Sequence, residues 1–273
     1  MRVAVGFFDG VHLGHRAILA QADCALTFVG HPLAVLSPER TPKLLMTCEE
    51  RLAAIRACGV SRISLLDFTP ELAALSPEDF LAQHLRPLAP EALEVVCGED
   101  WTFGAGGRGT SDFLRAHGVR VNVVPAAIWR GRRVSSTRIR AALNAGEVAE
   151  AGAMLGSPYA KEGRVFEGKG LGRRLGFPTL NLEVEGLHLA TGVYVCEAAG
   201  VRAVANWGRA PTSGAAAWER NVLEVHLLAE AGAVPSSPRL TVKFLRRLRD
   251  ERRFPNLEAL SRQLRQDVQE ARR

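Results

Sequence analysis

Arg2-Val-Ala-Val-Gly-Phe-Phe-Asp-Gly-Val-His-Leu-Gly-His15 is the stretch from which the fold is read. Val3, Val5 and Phe7 alternate as in a buried strand, and the glycines at Gly6 and Gly10 let the backbone turn tightly and admit another group at close range. His15 is expected to open a short helix. The first turn of a helix carries unpaired N–H groups and about half a positive charge, which suits a phosphate. His12 and His15, three residues apart, can reach the same anion. Gly6, Phe8, Asp9, His12, Gly14 and His15 therefore read as a seat for a triphosphate. With 7 His and 26 Gly in 273 residues, a His-x-Gly-His arises by chance in about one such chain in sixty.

Outward from this stretch, strand and helix signals alternate. Cys24-Ala-Leu-Thr-Phe-Val29 is an apolar run that stops at Gly30-His31-Pro32. A helix from His15 to Ala22 would span only about 12 Å, close to the shortest crossover a parallel pair permits. Thr47-Cys-Glu-Glu50 is a capping box that opens a helix to Cys58, closed by Gly59, and Arg62–Leu66 is the next strand. Ser76-Pro-Glu-Asp79 starts another helix. Leu93–Cys97 and Arg120–Val124 read as strands, with a helix over 111–116 between them. This order predicts an α/β domain with a doubly wound parallel sheet, its ligands at the carboxyl ends of the strands. Two loops at such ends stand out. Gly98 to Gly107 holds Asp100 and Trp101, able to bond a nucleoside and stack on a ring. Val134-Ser-Ser-Thr-Arg138 offers Ser135, Ser136 and Thr137 as helix caps with Arg138 just inside, either a second anion site or an ordinary capped helix.

The totals narrow the class. A chain of 273 residues with 47% hydrophobic content is long enough for one large or two ordinary globular domains. The balance of 35 Lys+Arg against 29 Asp+Glu, a formal +6, suits a phosphorylated ligand and equally weak nucleic-acid contact. Cys24, Cys48, Cys58, Cys97 and Cys196 are scattered and odd in number, which argues for reduced thiols, no zinc cage and the cytoplasm. Neither an export signal nor a bilayer-spanning run of about 20 apolar residues is expected. No DNA or membrane partner is read here.

Gly156-Ser-Pro158 breaks a helical pattern, and the expected domains are 1–156 and 157–273. Beyond it, short alternating runs with Gly and Pro between them (159–166, 192–196, 201–206, 222–228, 240–245) predict a small antiparallel β-barrel, and 256–271 a closing helix. Glu167-Gly-Lys-Gly-Leu-Gly-Arg-Arg-Leu-Gly-Phe-Pro-Thr-Leu-Asn181 is its informative stretch. Gly168, Lys169, Gly170, Gly172, Arg173 and Gly176 can wrap phosphates, while Thr179 and Asn181 offer oxygens suited to Mg2+. Composition alone makes a basic hairpin the simpler reading. In Val222–Leu227 alternation sets Glu224 and His226 off the apolar side. Arg246, Arg247, Arg249, Arg252 and Arg253 read as the solvated face of the terminal helix.

Together, Gly6-x-Phe-Asp-Gly-Val-His-Leu-Gly-His15, Thr27-Phe28 with His31-Pro32, Gly98-Glu-Asp-x-x-Phe-Gly104 and Ser135-Ser-Thr-Arg-Ile-Arg140 resemble the bacterial bifunctional riboflavin kinase/FAD synthetase family. Gly170-x-Gly-Arg-x-Leu-Gly-x-Pro-Thr-x-Asn181, Gly192-Val-Tyr, Ala205-Asn-x-Gly208, Pro211-Thr212 and Leu223-Glu-Val-His226 resemble its kinase module. Three departures stand out: Phe7, Gly30 and Leu180 where Asn, Pro and Ala are usual, besides the short helix after His15. The resemblance implies that the barrel makes FMN from riboflavin and ATP, and that the first domain joins FMN to AMP as FAD, releasing pyrophosphate. By the same likeness His12, His15 and Arg138 neutralise charge in adenylyl transfer. Thr179 and Asn181 hold the ATP-bound Mg2+, Asn206 lines the kinase pocket, and Glu224 is the general base. Two alternatives remain open at this point. One is a nucleotidyltransferase acting on another phosphorylated substrate; the other is a kinase whose first domain merely holds flavin or RNA.

Overall fold

Apolar runs that end on glycine or a capping residue set the elements of the first half. The computed structural model describes residues 1–167, 172, 175–209, 221–228 and 237–273. In chain order the elements are β1 (Arg2–Val5), α1 (Leu13–Leu19), β2 (Cys24–Phe28), α2 (Leu33–Leu36), α3 (Cys48–Ala57) and β3 (Arg62–Leu66). There follow α4 (Pro70–Ala74), α5 (Pro77–Phe80), β4 (Glu94–Gly98), α6 (Ser111–Ala116), β5 (Arg120–Val124), β6 (Ile128–Trp129) and β7 (Arg132–Arg133). α7 (Ser136–Asn144) and α8 (Val148–Leu155) come next.

β1 to β5 form a wholly parallel sheet in the order β3-β2-β1-β4-β5, as expected for a doubly wound α/β domain. Val3, Val5, Leu26, Val95 and Cys97 pack on one face of it, and Ala4, Ala25, Leu19 and Ile55 on the other. The order turns between β1 and β4. Chain leaving these two neighbours departs to opposite sides, and the crevice at their carboxyl ends is where such sheets take ligands. Gly6–His15 and Gly98–Gly107 both emerge there.

Some boundaries differ from the sequence expectation. β1 stops at Val5 rather than Phe7, because the chain is already turning. α1 starts at Leu13 rather than His15, since His12 caps it: its Nδ1 accepts from His15 N at 3.3 Å. The β6–β7 hairpin and a π-helical turn over Leu81–Leu85 carried no pattern that announced them.

Contacts divide the chain into Met1–Ser136 and Thr137–Arg273. In the second unit β8 (Tyr159–Phe166), β9 (Leu180–Glu183), β10 (Gly192–Ala198), β11 (Val201–Arg209), β12 (Asn221–Leu227) and β13 (Arg239–Arg249) close into an antiparallel barrel, β10-β11-β12-β9-β8-β13. Its interior is filled by alternate residues, among them Leu182, Tyr194, Cys196, Ala203, Ala205, Leu223, Val225, Val242 and Phe244. α9 (Leu257–Ala271), capped by Asn256 Oδ1 accepting from Ala259 N at 2.9 Å, lays Val268 and Ala271 over the outward Val193, Val195 and Val204.

One expectation is corrected here. Arg246, Arg247 and Arg249 lie on β13, and Arg252 and Arg253 in the connection that follows, none of them on the helix. The strand that begins with the alternating Leu240, Val242 and Phe244 continues past two register shifts against β10, where the alternation is lost, and so reaches eleven residues. Arg249 is not solvated either. Its guanidinium forks onto Asp267 of α9, Nε to Oδ1 at 3.0 Å and Nη2 to Oδ2 at 2.7 Å, with Asp267 only 4% exposed. Removing one partner of a buried pair strands the other. Asp267→Ala should therefore lower stability by about 3 kcal/mol, read as a shift of the urea midpoint of the barrel.

Candidate active sites

At the end of β1 the backbone passes from strand to helix through a strained turn. Phe8 and Val11 adopt positive φ of 59° and 38°, a region that costs non-glycine residues about 1 kcal/mol or more each. Such strain persists only where the surroundings over-determine it. Here buried Asp9 accepts from Leu45 N at 3.0 and 3.2 Å, and Ser136 Oγ donates to Asp9 O at 2.8 Å. A Cβ on Gly6 would lie 3.0 Å from the Phe8 ring and one on Gly14 3.3 Å from the His12 ring, so a neighbouring ring closes off each position.

His12 and His15 stack with ring centroids 3.6 Å apart and planes inclined by 17°. Burial lowers the His12 pKa to about 4, and burial with His12 beside it lowers that of His15 well below the ordinary value. Both imidazoles are therefore neutral at pH 7. Because His12 Nδ1 accepts from a backbone N–H, its proton sits on Nε2, a donor without a charge. His15 Nδ1 is buried with no partner among the described residues. Asp100 pairs with Arg133 of β7, whose charge also opposes protonation of His12. Trp101 stacks on Phe103, centroids 4.8 Å apart, against the core. Thr137 opens the second unit, and Arg138 pairs with Glu150 at 3.2 Å.

Sequence reading passed over Arg51. At 1% exposure it donates Nη1 to Phe7 O at 2.7 Å and to Thr27 Oγ1 at 2.8 Å, and Nη2 to Phe28 O at 2.6 Å, beneath the ends of β1 and β2. Its guanidinium lies 4.1 Å from the Phe7 ring centroid, and Phe7 meets His31 edge-on. The only available signal was its place one residue past the capping box.

On the barrel a polar row crosses three strands. Register places Glu224 of β12 between Asn206 of β11 and Asn181 of β9, on the face away from the packed interior. Burial, then the neighbouring Glu251, pushes the Glu224 carboxyl above its ordinary value. His226 Nδ1 donates to Pro178 O at 2.8 Å and so ties the segment bearing Thr179 to the same strand. Leu175 N and Phe177 N donate to Gly172 O at 3.1 and 2.8 Å, folding Gly172 against Thr179. Gly176 makes that return at φ 83°. Gly168, Lys169, Gly170 and Arg173, with Pro211 and Thr212, lie outside the described residues. Among those described, no three or more His, Cys, Asp or Glu could hold a metal together. The hydroxyl of Thr179 and the amide oxygen of Asn181 are hard oxygen donors of the type Mg2+ takes when phosphate supplies the rest, with the Glu224 carboxylate beside Asn181 in register.

A family model described as FAD synthetase matches residues 1–138, and one described as riboflavin kinase matches residues 155–273. The bifunctional riboflavin kinase/FMN adenylyltransferase of Pseudomonas fluorescens is 37% identical over 288 residues, covering 98% of this chain and 91% of its own. The protein of that name from Escherichia coli K12 is 33% identical over 296 residues, 99% of this chain and 91% of its own. That from Bacillus subtilis is 32% identical over 290 residues, 98% and 90%. A crystal structure named Macrolide-efflux Protein, from Streptococcus pneumoniae, superimposes with a TM-score of 0.87 at 30% identity, covering 99% of this chain and 93% of that one. Among the described residues no helix is long and apolar enough to cross a membrane.

The depressed His12 pKa makes stability pH-dependent with a fixed sign. Above 6.5 the imidazole is neutral folded or unfolded; between 6.5 and about 4 only the unfolded chain takes the proton, so stability falls as pH falls. His12→Gln should remove about 3 kcal/mol of that loss, seen as a shallower drop of the denaturation midpoint from pH 6.5 to 4.

Proposed function

Because the chain belongs to the bifunctional riboflavin kinase/FMN adenylyltransferase family, its barrel phosphorylates riboflavin to FMN and its first unit adenylylates FMN to FAD, and we propose that the two residue sets described above divide these steps. ATP is the co-substrate of both. The observation that carries the division is the pair of neutral, stacked imidazoles at the crevice of one sheet, remote in sequence from a basic-poised carboxylate on the barrel.

In adenylyl transfer a phosphate oxygen of FMN attacks the α-phosphorus of ATP and pyrophosphate leaves. Catalysis of such a step is mostly placement and charge stabilisation. His12 Nε2–H donates to a phosphate oxygen without first losing a proton or repelling a cation, and the orphaned His15 Nδ1 supports a second contact to the same group. The turn from Gly6 to Gly10 and the Ser136 hydroxyl complete the cradle, with Asp9 holding its shape. Asp100 is assigned to the nucleoside side. Thr137 and Arg138 are assigned from their motif, following Ser136 along α7.

In the kinase step Glu224 takes the proton from the terminal ribityl hydroxyl as that oxygen attacks the γ-phosphorus. Its raised pKa makes it the stronger base. Thr179 and Asn181 would hold Mg2+, which neutralises charge on the phosphates when bound; Asn206 orients the flavin chain. Gly168, Lys169, Gly170, Gly172, Arg173 and Gly176 are assigned to the ATP phosphates. The domains are proposed as 1–156 and 157–273, in the cytoplasm, where the five free thiols stay reduced. Both halves match enzyme families, so neither a different nucleotidyltransferase nor a flavin- or RNA-binding first half has an observation in its favour.

Separating flavins after incubation with riboflavin, ATP and Mg2+ tests the division. Glu224→Gln should cut FMN formation by about 10² to 10⁴ and leave adenylylation of supplied FMN unchanged; His15→Ala should do the reverse. Loss of both activities from either folded variant contradicts it.

A further inference from the structure

Buried charges are normally paired, since an uncompensated one costs several kcal/mol. Arg51 breaks this rule. It is 1% exposed, it makes no ion pair among the described residues, and its Nε has no hydrogen-bond partner. Its remaining donors go to neutral acceptors: the carbonyls of Phe7, Phe28 and Val29, the Thr27 hydroxyl and the Cys48 thiol. Asp9, the carboxylate that acts on it through space, turns its oxygens to Leu45 N. A full positive charge is thus fixed under the carboxyl ends of β1 and β2, one residue from the Phe8 turn.

The carbonyl oxygens at the end of a parallel strand would otherwise present partial negative charge to an anion in the crevice. Three of them are turned onto this guanidinium instead. We propose that Arg51 is a positioning residue for adenylyl transfer: it pins the ends of β1 and β2 beneath the Gly6–His15 turn, and its charge is balanced by the bound polyphosphate of ATP or by the departing pyrophosphate. This rests on the adenylyltransferase reading of the first unit. Phe7, in contact with the guanidinium through both its ring and its carbonyl, belongs to the same device.

The test uses the full chain with FMN and ATP in the forward direction and FAD and inorganic pyrophosphate in reverse, with riboflavin phosphorylation as an internal control. Arg51→Met should raise KM for ATP and for pyrophosphate by roughly tenfold, and Arg51→Lys, which keeps the charge, should recover most of it. Riboflavin phosphorylation should not change. Equal KM values for both ligands in wild type and a folded Arg51→Met, whatever its melting temperature, overturn the proposal. Should Arg51→Met fail to fold, the 15N resonance of Arg51 Nε in the wild-type chain serves instead: it should shift on saturation with pyrophosphate, and an unmoved signal overturns the proposal. A wild-type chain that makes no FAD at all would instead count against the adenylyltransferase reading.

Discussion

β1 has to become α1 across Gly6–His12, and this turn forces Phe8 and Val11 into left-handed backbone that their side chains disfavour. Most of what surrounds it in the first unit holds it there. Asp9 is bonded through its carboxylate to Leu45 and through its carbonyl to Ser136, His12 caps the helix it precedes, and Arg51 gathers the strand carbonyls below. A turn held this rigidly needs no reorganisation when a phosphate arrives, which is what makes preorganised polar sites effective.

The barrel meets a different constraint. Closure leaves no sheet edge, and small residues such as Ala203 and Ala205 beside Trp207 and Tyr194 fill the interior together with the buried Lys161, while the row of polar side chains assigned to chemistry stands on the outer face. α9 covers the apolar part of that outer surface through Val268 and Ala271, held by the Arg249–Asp267 fork. Asn206, Glu224 and Asn181 form a row in which register, not loop conformation, fixes the spacing. Partial burial and the presence of Glu251 then raise the affinity of Glu224 for a proton.

Where a local pattern controlled the outcome, it could be read from the sequence. β3, β5, α6 and β8 run over the residues that alternation and capping indicated, and Thr47 forms its capping box with Glu50. That His12 and His15 lie together was legible from their spacing. Arg51 was not, because burial of an arginine depends on carbonyls from two strands far away in sequence, and a charged residue on a helix usually faces water. The Arg246–Arg249 segment was misplaced for a related reason: a strand rich in arginine looks like a solvated helix unless its bulges and its acidic partner on α9 are known. Glu224 illustrates the remaining case. Alternation put it on the polar side, but only the neighbours brought by β9 and β11 separate a poised carboxylate from a solvated one.

One chain cleaves ATP at two different phosphorus atoms in two places. ATP labelled at the α or at the γ phosphorus, supplied with riboflavin, reports on this directly. The γ label should appear in FMN and persist in FAD, while the α label should enter FAD alone. An α label found in no flavin, or found in FMN, would contradict it.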